Sequence, residues 1–385
     1  MSRLAVSMEE TRMMNRLKLG RCGLLIATLM VLILSGPVQA YFSYGARSTG
    51  MGGAYTAMAN DASAVYWNPG NLGFINGWTI EMQIGQDGLF AEDVRDTMEF
   101  LRTNTDSSQY DSGEFDDAIS DLSGKDWLVR GGDTLSLVIA NQYTAFHFTQ
   151  YNLFYGQPEI IEGSDIFHRY EFSGIEIKEY GVTFTLVGGS SGFSIGVTGK
   201  YIDADVYHWS PAFWEIPSTD PGDLYDELED RGRTASDSSW GLDAGLAMSF
   251  GSSRLGFTAR NIIGFEIEID EQTRIEIEPE YRLGYAFQPS DRFVLSMDYS
   301  IDKEVDLLGN KLEGSELATG FEAAFGQKHW LLLRGGVSMP MDGDASMIFS
   351  VGAGLNFKQG ILDVGYAFDQ ERDSEKLWGG VRFTF

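Results

Sequence analysis

The chain has 385 residues, 43% of them hydrophobic, 22% charged and 13% aromatic, with 46 Gly, 9 Pro, a single Cys and a formal charge of −28. That apolar content is too high for a disordered acidic tail, and so acidic a chain lacks the basic surface that phosphate contacts require, which excludes a nucleic-acid binder. The glycines follow no three-residue period, so a collagen-like fibre is excluded as well.

Arg16, Lys18 and Arg21 form a short basic stretch, followed by the apolar run GLLIATLMVLIL over residues 23–34 and then Gly36-Pro37-Val38-Gln39-Ala40. Basic, apolar and small-residue regions in that order predict a secretory signal peptide over residues 1–40, cleaved after Ala40. The apolar run is short of the roughly twenty residues that a spanning helix needs, which argues against an uncleaved anchor. Cys22 precedes that run, so the exported part holds no cysteine and cannot rely on disulfides.

Residues 41–77 do not alternate. They carry Gly50, Gly52 and Gly53, which let backbone approach another surface closely. A short helical stretch through Ala62, Ala64, Val65 and Tyr66 follows, which Asn60 or Asp61 can cap. Pro69 ends it, because the residue before a proline is pushed out of helical conformations.

Residues 78–385 alternate apolar and polar in blocks of about ten, the pattern of strands that face two different environments. Trp240, Leu242, Ala244, Leu246, Met248 and Phe250 share one face, against Gly241, Asp243, Gly245 and Ala247. Phe293, Leu295, Met297, Tyr299 and Ile301 likewise oppose Ser296, Asp298 and Ser300. Short turns are expected near residues 141–142, 188–190, 251–252, 289–290, 327 and 359. They alternate with long connections at 86–132, 152–165, 206–236, 265–273, 303–312, 340–344 and 369–376. The fold class this predicts is all-β: a transmembrane antiparallel β-barrel of about fourteen strands, with tight turns on one side and loops on the other. A soluble sandwich or propeller also alternates, but with strands nearer five or six residues. Phe250, Phe287, Phe293, Phe325, Trp330 and Phe357 crowd the short turns, as an interfacial girdle does, and the chain closes on Phe385.

The block GARSTGMGGAYTAMANDASAVYWNPGNLG over residues 45–73 resembles the N-terminal hatch motif of the FadL-like (OMPP1/FadL/TodX) outer-membrane transport proteins, and more closely that of their PorV/PorQ-like relatives. The motif positions are Gly50, Gly52, Gly53, Asp61, Asn68 and Pro69; Asn68-Pro69-Gly70 stands where the family usually has Asn-Pro-Ala, a change that loosens the turn. The resemblance implies an N-terminal plug over residues 41–77 inside a barrel over residues 78–385, in the outer membrane of a Gram-negative bacterium. It implies passive passage of hydrophobic small molecules such as long-chain fatty acids beside that plug. Through the PorV/PorQ-like relatives it implies instead a component of secretion or surface anchoring whose partner is an exported protein. A plug that only fills the lumen is a third reading.

Three sets of residues are candidates for the site. Phe90, Val94, Met98 and Leu101 recur at helical spacing in the first long connection, and Trp209, Phe213 and Trp214 stand in another, so the two offer apolar faces for a hydrophobic groove. The same faces can simply pack on one another and on the rim. Strand parity turns Arg254, Arg260, Arg282, Arg334 and Arg382 inward with Asp243, Asp298 and Asp363, where paired charges brace a plug or line a water path. His147 shares that inward parity, and a lone strand histidine reads as structural. The acidic run over residues 220–230 matches no EF-hand spacing, so no metal site is expected. No hydrolase, zinc-protease or nucleotide motif accompanies the four histidines, so neither an enzyme nor a cofactor is expected. The expected surroundings are outer-membrane lipids around a monomer.

Overall fold

The computed structural model describes residues 44–90, 129–160, 168–211, 215–216, 221–231, 233–268, 274–277, 279–307, 310–341, 347–369 and 374–385. The expected signal peptide lies outside them. The strands are β1 (Thr79–Phe90), β2 (Val129–Ala140), β3 (Thr144–Ile160), β4 (His168–Val187), β5 (Phe193–Trp209), β6 (Ala235–Phe250), β7 (Ser253–Arg260) and β8 (Phe265–Glu268). They continue as β9 (Arg274–Ile277), β10 (Glu280–Ser290), β11 (Phe293–Leu307), β12 (Asn310–Phe325), β13 (Leu331–Pro340), β14 (Ile348–Phe357), β15 (Gly360–Asp369) and β16 (Ser374–Thr384).

Fourteen of these close an antiparallel barrel. Each pairs with its neighbour in the chain, β7 pairs with β10, and β16 pairs with β1 from Thr79↔Thr384 to Leu89↔Ser374. Trp78 and Phe385 exchange backbone hydrogen bonds of 3.2 and 2.9 Å, so the seam is sealed to the last residue. β8 and β9 form a hairpin that continues the wall above β7 and β10, with β9 pairing to the outer part of β11. The break between them falls at Asn261, in the left-handed region with φ 50°, and at Pro279.

Leu246, Met248, Leu295, Phe349, Val351, Leu362 and Val364 are exposed on the outside, while Gly245, Ala247, Ser296, Asp298, Ser350 and Asp363 are buried inside. No described helix is long and apolar enough to cross a membrane; it is the strands that carry an apolar band. Exposed Phe325, Trp330, Phe357 and Phe385 edge the band at the short-turn end, called the inner end below. Tyr180, Tyr201 and Trp240 edge it at the other, beyond which the outer face turns polar at Gln150, Glu176, Lys178, Asp203 and Asp205.

Several expected loops are strand instead. β3 and β4 leave only 161–167 between them, and β11 and β12 only 308–309. The hairpin β8–β9 occupies part of 265–273, and β10 runs through Ser290. The ten-residue block is the length that crosses a bilayer. β4 has 20 residues and β3 and β5 have 17 each, so the sheet stands well above the apolar band, where the outer face no longer has to be apolar. On that extension Phe154, Phe172 and Trp209 stack, and a helix α3 (Pro221–Arg231) packs over them, with Leu228 buried against Gly174.

Residues 44–77 fill the barrel at its inner half as α1 (Ala46–Thr49), α2 (Ala64–Trp67) and a 3-10 segment Pro69–Phe74. Four-residue helices are marginal alone, so the wall must hold them. It does so backbone to backbone. A Cβ on Gly352 would stand 2.9 Å from the Gly50 Cα, one on Gly256 would stand 2.6 Å from the Thr56 oxygen, and one on Gly284 2.7 Å from the Ala57 nitrogen. Gly196, Gly320, Gly336 and Gly365 meet the Pro69, Met51 and Ala46 backbone in the same way, and Gly245 meets the Gly70 nitrogen and the Asn68 side chain. Gly336→Val should therefore lower the thermal midpoint of the detergent-solubilised protein by the equivalent of about 1–3 kcal/mol. Gly199→Ala, with open space around it, should change it by less than about 0.5 kcal/mol. Equal effects of the two would show that the contact does not matter.

Candidate functional site

The plug is tied down by its polar side chains. Pro69 forces Asn68 into an extended conformation (φ −167°, ψ 102°), which ends α2 and turns the Asn68 side chain back over the segment. Its Oδ1 accepts from Gly70 N at 2.9 Å, and its Nδ2 donates to the Thr56 and Leu246 carbonyls, both at 3.1 Å. One amide therefore joins three pieces of backbone, of which the last belongs to the wall. Asp298 of β11 accepts from Tyr55 N at 2.8 Å and Thr56 N at 2.6 Å.

Asp61 is not the helix cap. The residue before α2 is Ser63, no side chain caps that helix, and the Asp61 carboxylate is drawn to the arginines instead. It accepts from Arg47 Nη1 at 2.9 Å, from Tyr55 OH at 2.7 Å, from Ser63 and from Arg382 of β16. Arg47 in turn grips Glu322 of β12 with two bonds of 2.8 and 2.7 Å, and Asn60 with a third. Arg334 of β13 donates to Glu322 and to Asp363 of β15, both at 2.7 Å. The result is a line of alternating charge, Asp363, Arg334, Glu322, Arg47, Asp61 and Arg382, with Glu81 of β1 at 3.8 Å from Arg382. Every cation lies between anions, which is the arrangement that makes buried charge tolerable.

Two further groups lie on the β3–β7 and β10 side. Lys200 bridges Glu179 at 3.1 Å and Asp243 at 3.0 Å, and His147 Nε2 meets Glu179 at 2.9 Å beneath the Tyr66 ring. Arg282 bonds Glu280 at 2.6 Å and lies under the Trp67 ring, with Arg260 3.8 Å from Glu280. Tyr44 and Tyr66 stack at 3.8 Å in the lumen, and the buried Trp378 ring fits over Gly85.

The sequence candidates thus fall in different places. Gly50 and Gly52 touch β13 and β14, and Gly53 lies under the Trp67 ring with φ +79°. Of the lumen charges expected from parity, Arg260, Arg282, Arg334, Arg382, Asp243 and Asp363 sit in these clusters, Asp298 holds the plug backbone, and Arg254 stacks on Phe74. Trp209 is buried, with Phe172 at 5.5 Å and the Arg231 guanidinium at 4.1 Å from its ring. It is a packed rim residue. Phe90 ends β1, and its side chain, with Val94, Met98, Leu101, Phe213 and Trp214, lies outside the described residues, so no groove is assembled among those described. Arg47, Glu81, Glu179 and Glu322 complete the clusters. Glu322 is readable from strand parity, and Glu81 stands on the polar face of β1 beside Thr79 and Gln83, but nothing periodic marks Arg47. No group of three or more His, Cys, Asp or Glu among the described residues is placed to hold a metal ion. Paired charges, packed rings and touching backbones are what hold a plug in place.

This is a fourteen-stranded barrel with a plugged lumen, and solved structures share the barrel fold. The chain is similar to the toluene transporter TbuX of Ralstonia pickettii, at 12% identity and a TM-score of 0.55 over 89% of this chain and 98% of that one. It is similar to the toluene transporter TodX of Pseudomonas putida, at 15% identity and 0.54 over 90% and 99%. A FadL homologue of Pseudomonas aeruginosa matches at 13% identity and 0.53 over 91% and 99%. TbuX and TodX are transporters by name rather than enzymes, and at such identities the likeness is one of fold. The protein-family model described as "F plasmid transfer operon, TraF, protein" matches residues 87–300, more than half of the chain, and the chain belongs to that family. No curated protein matches it in sequence.

The charge line makes two predictions. Arg47→Ala leaves Asp61 and Glu322 facing each other without their shared cation, and should lower hydrogen-exchange protection of the plug amides by about 3–5 kcal/mol; unchanged protection would show that the line carries no load. The second concerns pH. Burial alone would raise the Asp61 carboxyl, but the Arg382 and Arg47 charges outweigh it and hold the group well below its ordinary value of 3.8. A depressed carboxylate stabilises the folded state fully above its ordinary range and loses that stabilisation only as pH falls through the depressed value. The Asp61 share of the plug's protection, read as the difference between the intact protein and D61N, should therefore be the same at about pH 7 and pH 5 and fall only below about pH 4. Loosening between pH 7 and 5 would assign the response to another group.

Proposed function

We propose that the chain is an outer-membrane barrel through which hydrophobic small molecules pass passively, with residues 41–77 as the plug they must get round and residues 1–40 as its export signal. The observation that carries this reading is the whole-length likeness of the barrel to proteins named as toluene transporters. The apolar band edged by aromatic rings supports a membrane location, with lipid covering a monomer on all sides. The filled lumen supports selectivity: touching backbones and neutralised charges leave no wide water path of the porin kind, so polar solutes are held back while the plug stays in place. Long-chain fatty acids and monoaromatic hydrocarbons are both suitable first substrates.

Purified protein in liposomes should take up labelled toluene or a labelled long-chain fatty acid and exclude a labelled sugar, whereas a variant lacking residues 41–75 should admit the sugar too. No hydrophobic uptake by the intact protein, together with an exported protein that co-purifies with it, would overturn the transporter reading in favour of a PorV/PorQ-like role in secretion or anchoring.

A further inference from the structure

Arg47, Arg260, Arg282, Arg334 and Arg382 each lie within ion-pair distance of a carboxylate. Arg254 does not. Among the described residues it has no acidic partner, and its guanidinium rests on the Phe74 ring, 4.5 Å from the ring centre. It lines a cavity of about 120 Å³ between the plug and the inner rim of the barrel. Met58 and Asn60 of the plug form one side of this cavity, and Ser252, Ser253 and Gln288 form the other.

A cation in a half-enclosed site is stabilised chiefly by an opposite charge brought to it. The planar fork of a guanidinium matches the two oxygens of a carboxylate. Its single charge balances a monoanion, and the surrounding hydroxyls and amides supply donors without adding charge. The cavity is well below the roughly 300 Å³ at which pockets begin to take a whole drug-sized ligand. It therefore suits a small acid or the head of a longer one, and Met58 beside buried Val294 gives a tail an apolar wall to follow.

We infer that Arg254 heads an anion site for a carboxylate on the inner side of the plug, formed jointly by the plug and the β6–β7 and β10–β11 ends of the wall. The site stands on the cavity and its unpaired cation, and does not depend on what the barrel transports. Two sources can supply the ligand: a free short acid, or the head of an amphiphile.

Calorimetric titration of the full-length protein in non-ionic detergent with octanoate, acetate and 1-octanol tests this at neutral pH. Octanoate should bind at least about tenfold tighter than 1-octanol, and R254Q should abolish that preference while R254K keeps part of it. Acetate binding as tightly as octanoate supports the free acid; octanoate binding more tightly supports the amphiphile. Equal octanoate binding by R254Q and the intact protein, or no carboxylate binding by the intact protein, would overturn the site. Because R254Q is read by binding, loss of octanoate in that variant beside a protein that transports nothing would keep the site and remove only the transport reading.

Discussion

Backbone can touch backbone only where no side chain stands between them, and the packing of this barrel depends on that constraint. Gly245, Gly256, Gly284, Gly320, Gly336, Gly352 and Gly365 occupy inward positions at or near the middles of their strands, and each meets the plug at a distance a Cβ would not permit. An inward alanine at any of these sites would have to push the plug or bend the strand, and a packed interior yields poorly to either. The plug has no long helix of its own, so its shape is the shape the wall leaves for it.

Close approach also excludes water, and this changes what the charged residues do. With the wall near the plug, Arg47 and Asp61 reach a carboxylate of β12 and a guanidinium of β16 directly rather than through solvent, and Arg334 of β13 extends the line from Glu322. Buried pairs gain little net stability over a well-packed apolar alternative, but a broken one is costly. The line from Asp363 to Arg382 therefore acts less as a source of stability than as a fixed register: it accepts the plug in one position and penalises others. Asn68 and Asp298 do the same for uncharged backbone.

Much of the barrel is legible in the sequence because a wall with an apolar outer face and a packed interior imposes a simple rule on every second residue. Leu246 and Met248 against Gly245 and Ala247, or Val351 against Ser350, give facing and strand alike. The rule lapses where the apolar band ends, so the upper parts of β3 and β11 and the first residues of β12 read as loops although their hydrogen bonding continues. The break at Asn261 and Pro279 is legible only in part, since Pro279 signals it and the hairpin above it does not. Within the site, Arg334, Asp363 and Asp298 follow from parity. Arg47 does not, because one arginine among glycines has no period, and its partner Glu322 lies 275 residues away. Asp61 is misleading for a related reason. A local rule makes it a cap, and Arg382, 321 residues distant, outbids the backbone.

The same contacts divide the plug into two unequal halves. The α1 side is held by charge: Arg47 and Asp61 bind β12 and β16 while β13 and β15 extend the line behind them. The Pro69–Phe74 side rests on β5, β6 and β7 through glycine contacts, one Asn68 bond to the Leu246 carbonyl and the ring of Phe74 under Arg254. Detaching the first side exposes several buried charges at once, at several kcal/mol. Detaching the second gives up one amide bond of about 1 kcal/mol, one cation–π contact of about the same size and van der Waals contact between backbones. Whatever displaces the plug without unfolding it meets the lower cost along β5 to β7, the side on which the 120 Å³ cavity and Arg254 already lie.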